Sequence, residues 1–301
     1  MLNGIIVVNK EAGFTSHDVV AKMRGICKQK KIGHTGTLDP DAVGVLPICL
    51  GKGTKVSGML TDSDKEYEAV LRLGMNTDTL DLSGTVLETF DVNVTEEQVR
   101  EVICDFVGEI KQIPPMYSAL KVNGKKLCDL ARSGVNVERK ARDITIYSIE
   151  ILKMELPDIT IKVACSKGTY IRSLCNDIGN KLGCGGVMAH LIRTKAAGYT
   201  LKDAYSLDEI QRLQDQGELQ NAIKPIDSVF YAYPKAVVLD TIRPLAINGN
   251  PLPKERVVAK EASMYYRLYD EAGLFIGIFT YYEKQKLFRP LKMFLDSDKG
   301  K

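Results

Sequence analysis

Gly33-His34-Thr35-Gly36-Thr37-Leu38-Asp39-Pro40 is the densest polar loop in the chain, and it runs straight into Ala42-Val43-Gly44-Val45-Leu46-Pro47-Ile48-Cys49-Leu50-Gly51. Two glycines ahead of an aspartate allow positive φ or close approach by a ligand. Pro40 steers Asp39 away from helical geometry, so its carboxylate projects from a stiff loop, and the apolar run behind it anchors that loop on a core. Taken alone, the commoner reading is a turn in which Asp39 caps local backbone. No G-K-[ST] follows at the required spacing, so the loop is not a phosphate-binding P-loop.

Outward from this stretch, Ile5 to Asn9 is a buried strand, and a helix capped near Thr15 or Ser16 follows, with Val19, Val20, Met23, Ile26 and Cys27 on one face. Glu66 to Gly74 alternates, placing Tyr67, Ala69, Leu71 and Leu73 on one side of a strand. Thr95 and Gln98 form a capping-box pair ahead of Val99, Val102, Ile103 and Phe106. Ile144–Leu152 and Ile159–Ser166 pair around the turn Leu156-Pro157-Asp158. Thr169 to Leu182 is helical up to Gly183, and a further helix opens at Ser206 and Glu209 and closes at Gly217. Strands and helices are intermixed without regular βαβ alternation, which predicts an α+β fold on a mixed sheet. Past about residue 230 come short strands rich in Tyr, Phe and Ile (Tyr265–Tyr269, Leu274–Tyr282, Leu287–Phe294), a small all-β module.

Composition removes several alternatives. In 301 residues, 45% hydrophobic and 26% charged side chains are ordinary for a globular protein, and no apolar run reaches the length of a membrane span. The opening MLNGIIVVNKEAG has no basic leader or cleavage site, so it is a strand and the protein is expected in the cytoplasm. Seven scattered cysteines without a C-x-x-C pair predict buried reduced thiols, and three histidines make a metal centre improbable. A net charge of +3 decides nothing about partners; the basic clusters at 28–31, 121–126, 138–142 and 191–195 matter more, although such runs are usually solvated faces.

Five motifs in order carry a resemblance. GHTGTLDPDAVGVLPICLGKGTK is similar to the signature of the TruB family of pseudouridine synthases, which modify the T loop of tRNA. Asn9-Lys10-Glu11-Ala12-Gly13 resembles its D-K-P-x-G motif and Asp64-Lys65-Glu66-Tyr67 its D-K-x-Y strand. Gln112-Ile113-Pro114-Pro115-Met116-Tyr117-Ser118-Ala119-Leu120-Lys121 resembles its Q-x-P-P-x-Y-S-A-x-K insertion, and Lys167-Gly168-Thr169-Tyr170-Ile171-Arg172-Ser173 its K-G-T-Y-I-R-[ST] motif.

The resemblance implies a catalytic domain over 1–230 on a mixed, mostly antiparallel sheet, with an RNA-binding insertion at about 112–142 and a PUA-like RNA-binding domain over 231–301. It implies isomerisation of uridine 55 of tRNA after the base is flipped out of its loop. That reaction needs no cofactor, metal, redox step or energy source, and a monomer suffices without a protein partner. Asp39 matches the essential carboxylate, and Arg172 the arginine that pairs with it and holds its pKa low. Tyr67 matches the tyrosine that stacks on the target base with its hydroxyl near the C5 proton, and Leu191 an apolar residue on the base's other side. Tyr170 helps hold Arg172; His34 occupies space near the flipped base; Lys10 supports the loop or contacts phosphate. Lys121, Lys125, Lys126, Arg132 and Arg142, with Arg139 among them, are expected to neutralise phosphates of the T stem-loop.

Two departures stand out: Asn9 and Glu11 replace the family's aspartate and proline, and Leu191-Ile192-Arg193-Thr194 lacks one arginine of the usual L-R-R-T. A guide-RNA-dependent synthase of ribosomal RNA and a tRNA-folding chaperone are the rival functions.

Overall fold

The alternation that begins at Lys65 places Lys65, Tyr67, Ala69, Leu71 and Leu73 on one buried face of the strand Lys65–Leu73. The computed structural model describes residues 1–122, 124–135 and 137–295, and the side chain of Lys126 lies outside the described residues. Lys65–Leu73 is the centre of a nine-stranded sheet whose main path runs Gly4–Lys10, Val43–Leu50, Gly186–Ala196, Lys65–Leu73, Asp158–Cys165, Arg142–Glu155, Gly108–Gln112. Val43–Leu50 and Gly186–Ala196 pair in parallel; the four pairings from Gly186–Ala196 to Gly108–Gln112 are antiparallel. The predicted mixed, mostly antiparallel α+β architecture is therefore the one observed.

Two helices cover the buried face. Leu174, Cys175 and Ile178 of the helix Ile171–Lys181 and Val99 and Ile103 of Glu96–Cys104 join Ala69, Leu71, Ile161 and Val163 in one core. Each such side chain contributes about 1.5–3 kcal/mol on full burial. Capping boxes open the helices at Thr15–Asp18, Thr95–Gln98 and Ser206–Glu209. The helix expected from Thr169 begins only at Ile171, because Tyr170 is its extended N-cap and its backbone bonds elsewhere. Gln112 supplies that partner: its Oε1 accepts from the Tyr170 N–H at 2.8 Å and its Nε2 donates to the Tyr170 carbonyl at 3.1 Å.

The chain divides into two compact units. One comprises Ile6–Ile48 and Ser57–Gln220 and contains most of the large sheet; the other comprises Met1–Ile5, Cys49–Val56 and the chain from Asn221 onward. The second is built on a six-stranded sheet in the order Leu252–Pro253, Leu287–Met293, Phe275–Tyr282, Tyr265–Tyr269, Lys235–Val238, Val257–Ala259. Its three predicted strands are present, and Phe279, Phe288, Tyr266 and Leu268 fill its core. All seven cysteines are free; five are buried, Cys104 is exposed and Cys128 is half-buried on the short helix Leu127–Arg132.

Candidate active site

The Asp39 loop is held from several sides before any substrate is considered. Leu38, 3% exposed, plugs into the core, and its N–H donates to Ser16 Oγ at 2.9 Å. Thr35 N–H donates to the Pro47 carbonyl at 3.1 Å, and Gly36 takes φ +83°, the conformation that glycine adopts without penalty. Lys10, fully buried, donates from Nζ to the carbonyls of Glu11 (3.0 Å), Phe14 (2.6 Å) and Pro40 (2.8 Å). An ammonium has three donors, and three carbonyls occupy them. Lys10 therefore ties the N-terminal turn to the loop, and of the two roles open to it in the sequence, loop support is the one it is built for.

Arg172 closes on Asp39 from the helix Ile171–Lys181. Its Nε lies 3.0 Å from Asp39 Oδ2 and its Nη2 3.1 Å from Oδ1, a two-point pairing of fork and carboxylate. Nη1 donates to the Thr79 carbonyl at 3.0 Å and lies 3.5 Å from Asp81 Oδ2, while Nη2 also reaches the Tyr117 carbonyl at 2.7 Å. With its side chain 6% exposed, Arg172 gathers three other segments of chain, at Asp39, at Thr79 and Asp81, and at Tyr117, around one cation.

The electrostatic balance differs from the sequence expectation. Burial raises the Asp39 pKa above the ordinary carboxylate value; Arg172 opposes the rise and Asp81 adds to it. Arg172 thus limits the shift and does not reverse it, because the cost of burying the charge outweighs the ion pair and Asp81 adds to that cost. Asp39 keeps 38% of its side-chain surface open, so water entering the site tempers the rise. Asp81 was missed in the sequence, where the turn Thr77–Ser83 has no motif to distinguish its aspartates.

Tyr67, Leu191 and Arg193 share one face of the sheet. Tyr67 stands opposite Arg193 in register, and Leu191, two positions before Arg193 on its strand, stands opposite Ala69. Tyr67 is 8% exposed, its pKa raised by burial and lowered in part by the neighbouring Arg193 guanidinium. Arg193, 1% exposed, donates to the carbonyls of Val45 (2.7 Å), Gly36 (3.3 Å) and Thr37 (3.4 Å). Of the two cations in the basic cluster at 191–195, Lys195 is exposed while Arg193 belongs to the core. The signal that could have found Arg193 is its position: it falls in phase with buried Leu191 on an alternating strand.

These residues open onto two cavities. One of about 370 Å³ is lined by Asp39, Tyr67, Tyr170, Arg172, Leu191 and Arg193. Another, of about 540 Å³, also reaches Asp39, Arg172 and Leu191, and includes His34, Ser118 and Arg132 in its walls. His34 Nδ1 and Ser118 Oγ are buried with no partner among the described residues, so a ligand's polar atoms can satisfy both. Burial lowers the His34 pKa, as does nearby His17, which leaves a neutral ring at neutral pH.

Of the predicted phosphate contacts, Lys121, Lys125, Arg132 and Arg142 are exposed. Lys126 cannot be placed, since its side chain is outside the described residues. Arg139 is instead a structural cation, half-buried with Nη1 donating to the Pro114 carbonyl at 3.0 Å. The insertion is stitched to the site by Gln112 on Tyr170, by Ser173 Oγ on the Ile113 carbonyl (2.9 Å), and by Arg172 on Tyr117.

Comparison with known proteins gives this geometry a context. Residues 24–171 match the family described as TruB family pseudouridylate synthase (N terminal domain), and residues 172–231 match the tRNA pseudouridylate synthase B C-terminal domain. A Lachnoclostridium phytofermentans protein named tRNA pseudouridine synthase B is 50% identical over 307 residues, spanning 98% of this chain and 100% of its own. Its namesake in Clostridium kluyveri is 46% identical over 295 residues, with the same coverage. Among solved structures, a chain of a Cbf5-Nop10-Gar1 complex superposes with a TM-score of 0.73 at 27% identity, covering 98% of this chain and 86% of that one. A chain of an H/ACA RNP bound to a substrate RNA containing 2'-deoxyuridine gives 0.72 at 25% identity, with the same coverage. Fold and sequence together define an isomerase of the pseudouridylate synthase class. Within that class, the chain belongs to the TruB family.

Proposed function

We propose that this chain, working as a monomer without guide RNA or protein partner, converts uridine 55 in the T loop of tRNA to pseudouridine. Asp39 is the essential carboxylate. The observation that carries the reading is the two-point Arg172–Asp39 pair at the junction of two cavities, backed by Tyr67 and Leu191. The isomerisation breaks the N1–C1′ bond, turns the uracil while it stays bound, and joins C5 to C1′. An ionised carboxylate paired with a guanidinium can assist by attacking C1′, by adding to C6 or by removing the C2′ proton. Tyr67 and Leu191 sandwich the base, with the Tyr67 hydroxyl toward C5; Tyr170 backs Arg172 and His34 fills space beside the extruded nucleotide. Exposed cations of the insertion, Lys121, Lys125, Arg132 and Arg142, meet phosphates of the stem-loop, together with Lys126. We take 1–230 as the catalytic portion and 231–301 as an RNA-binding domain, in a protein of the cytoplasm.

The test is Asp39→Asn, assayed by tritium release from C5-labelled uridine in a tRNA transcript. Release should vanish while the dissociation constant for tRNA stays within about threefold, since an isosteric amide removes charge and not shape. Substantial residual turnover would sink the assignment. Full activity of the purified chain on tRNA alone separates it from a guide-dependent synthase; tRNA refolding that survives Asp39→Asn would reveal a chaperone role.

A further inference from the structure

We infer that Arg193, anchored on the carbonyls of the Asp39 loop, is the positioning residue of the Tyr67 hydroxyl. The inference rests on the reading of the site given above. Arg193 is among the largest fully buried side chains of the protein, and no carboxylate pairs with it among the described residues. Its hydrogen bonds go to three backbone carbonyls, of Gly36, Thr37 and Val45, and across the strand pair it faces Tyr67, whose hydroxyl lies within its electrostatic reach. Burying a lone guanidinium carries a large desolvation penalty, and an apolar residue of similar volume would pack the same space more stably. Its retention in the core beside a reacting group therefore needs a use beyond packing.

The geometry supplies one. Tyr67 and Arg193 are directly opposed on adjacent antiparallel strands, the arrangement in which side chains interact most closely. An N–H donated to the tyrosine oxygen occupies one lone pair and turns the hydroxyl proton away from the guanidinium. The other arms of the fork end on Gly36 and Thr37, three and two residues before Asp39. One planar group thus references the tyrosine oxygen to the loop that carries the carboxylate. Gly44 keeps the assembly tight: a Cβ there would lie 2.4 Å from the Arg193 carbonyl oxygen and 3.0 Å from its nitrogen. Lysine has no fork and cannot hold all four partners.

A residue that acts through Tyr67 must lose its effect when the hydroxyl is gone. Arg193→Met should lower kcat on tRNA at least about tenfold, with tRNA affinity within about threefold, and cost less than about twofold further in a Tyr67→Phe background. Arg193→Lys should recover part of the loss. Equal losses in both backgrounds, or unimpaired turnover of Tyr67→Phe, would overturn the proposal. Should Arg193→Met fail to fold, the Lys variant carries the test through ¹⁹F resonances of fluorotyrosine-labelled protein. The Tyr67 signal, assigned with Tyr67→Phe, should shift in Arg193→Lys, and an unmoved signal overturns the inference. Asp39→Asn judges the wider reading separately, since it does not touch the Arg193–Tyr67 pair.

Discussion

At the scale of single residues, the shared guanidinium makes Asp39 a carboxylate of adjustable acidity. Burial and Asp81 raise its pKa and Arg172 lowers it, with burial the largest influence. In the reaction proposed above only the ionised form serves, so activity should be lost as pH falls through the Asp39 pKa. The acidic limb of the kcat/KM profile should then lie above the ordinary carboxylate range, and Asp81→Asn should move it down by removing a repelling charge. A limb that stays in place in Asp81→Asn would exclude the coupling. The sign for stability is the reverse of an ordinary ion-paired aspartate. A folded pKa above the unfolded one means the ionised carboxylate disfavours folding at neutral pH. Asp39→Asn should accordingly melt no lower than the parent chain, as calorimetry can check. In the sequence Asp39 was one more Asp-Pro turn, and it gained its meaning from motif order. Asp81 and Arg193 had no such motif, and both contribute through charge in three dimensions, which residue spacing does not display.

Elements are where the sequence was most legible, because periodicity reports which face is buried. Tyr67, Ala69, Leu71 and Leu73 were recognisable as one face, and each helix begun by a capping box starts where its box predicts. What periodicity could not reveal is side chain meeting distant backbone, as at the late start of Ile171–Lys181. Gln112 is 2% exposed and satisfies both polar groups of the Tyr170 peptide backbone. Gln112→Ala leaves the half-buried Tyr170 N–H without its partner, while the Tyr170 carbonyl keeps the Leu174 N–H at 3.1 Å, a destabilisation of about 1–3 kcal/mol for the one group left unsatisfied. Urea unfolding should register that loss, and turnover should drop with it, since Arg172 follows Tyr170 by two residues. Unchanged stability would mean that solvent replaces the amide. Gly44→Ala is the corresponding test across strands. It should destabilise the fold strongly, because φ there is +105° and the obstructing atoms are backbone.

For the molecule as a whole, a net charge of only +3 makes clustering decisive for attraction to a polyanion, and under the proposed function that attraction falls to the exposed cations of the insertion. Lys121, Lys125, Arg132 and Arg142 are placed on the surface for it, and Arg132 also borders the larger cavity. Each phosphate contact on a duplex stem adds about 0.9 to the slope of log affinity against log salt. Substituting Lys121 and Arg142 together by alanine should flatten that slope by nearly two in filter-binding titrations, with kcat at saturating tRNA unchanged. An unaltered slope would move the phosphate contacts elsewhere. The distribution of thiols has a practical consequence. Burial pushes Cys27 and Cys165 up to about 11 and Cys49 and Cys175 up to about 12, so they hold little thiolate at neutral pH and resist alkylation. Cys104 and Cys128 are left for a maleimide to find, the first exposed and outside the walls of both cavities, the second lining the larger one. The native chain therefore carries an occupancy gauge with its own internal standard: substrate filling the cavity slows labelling at Cys128 and leaves Cys104 as the clock against which to read it.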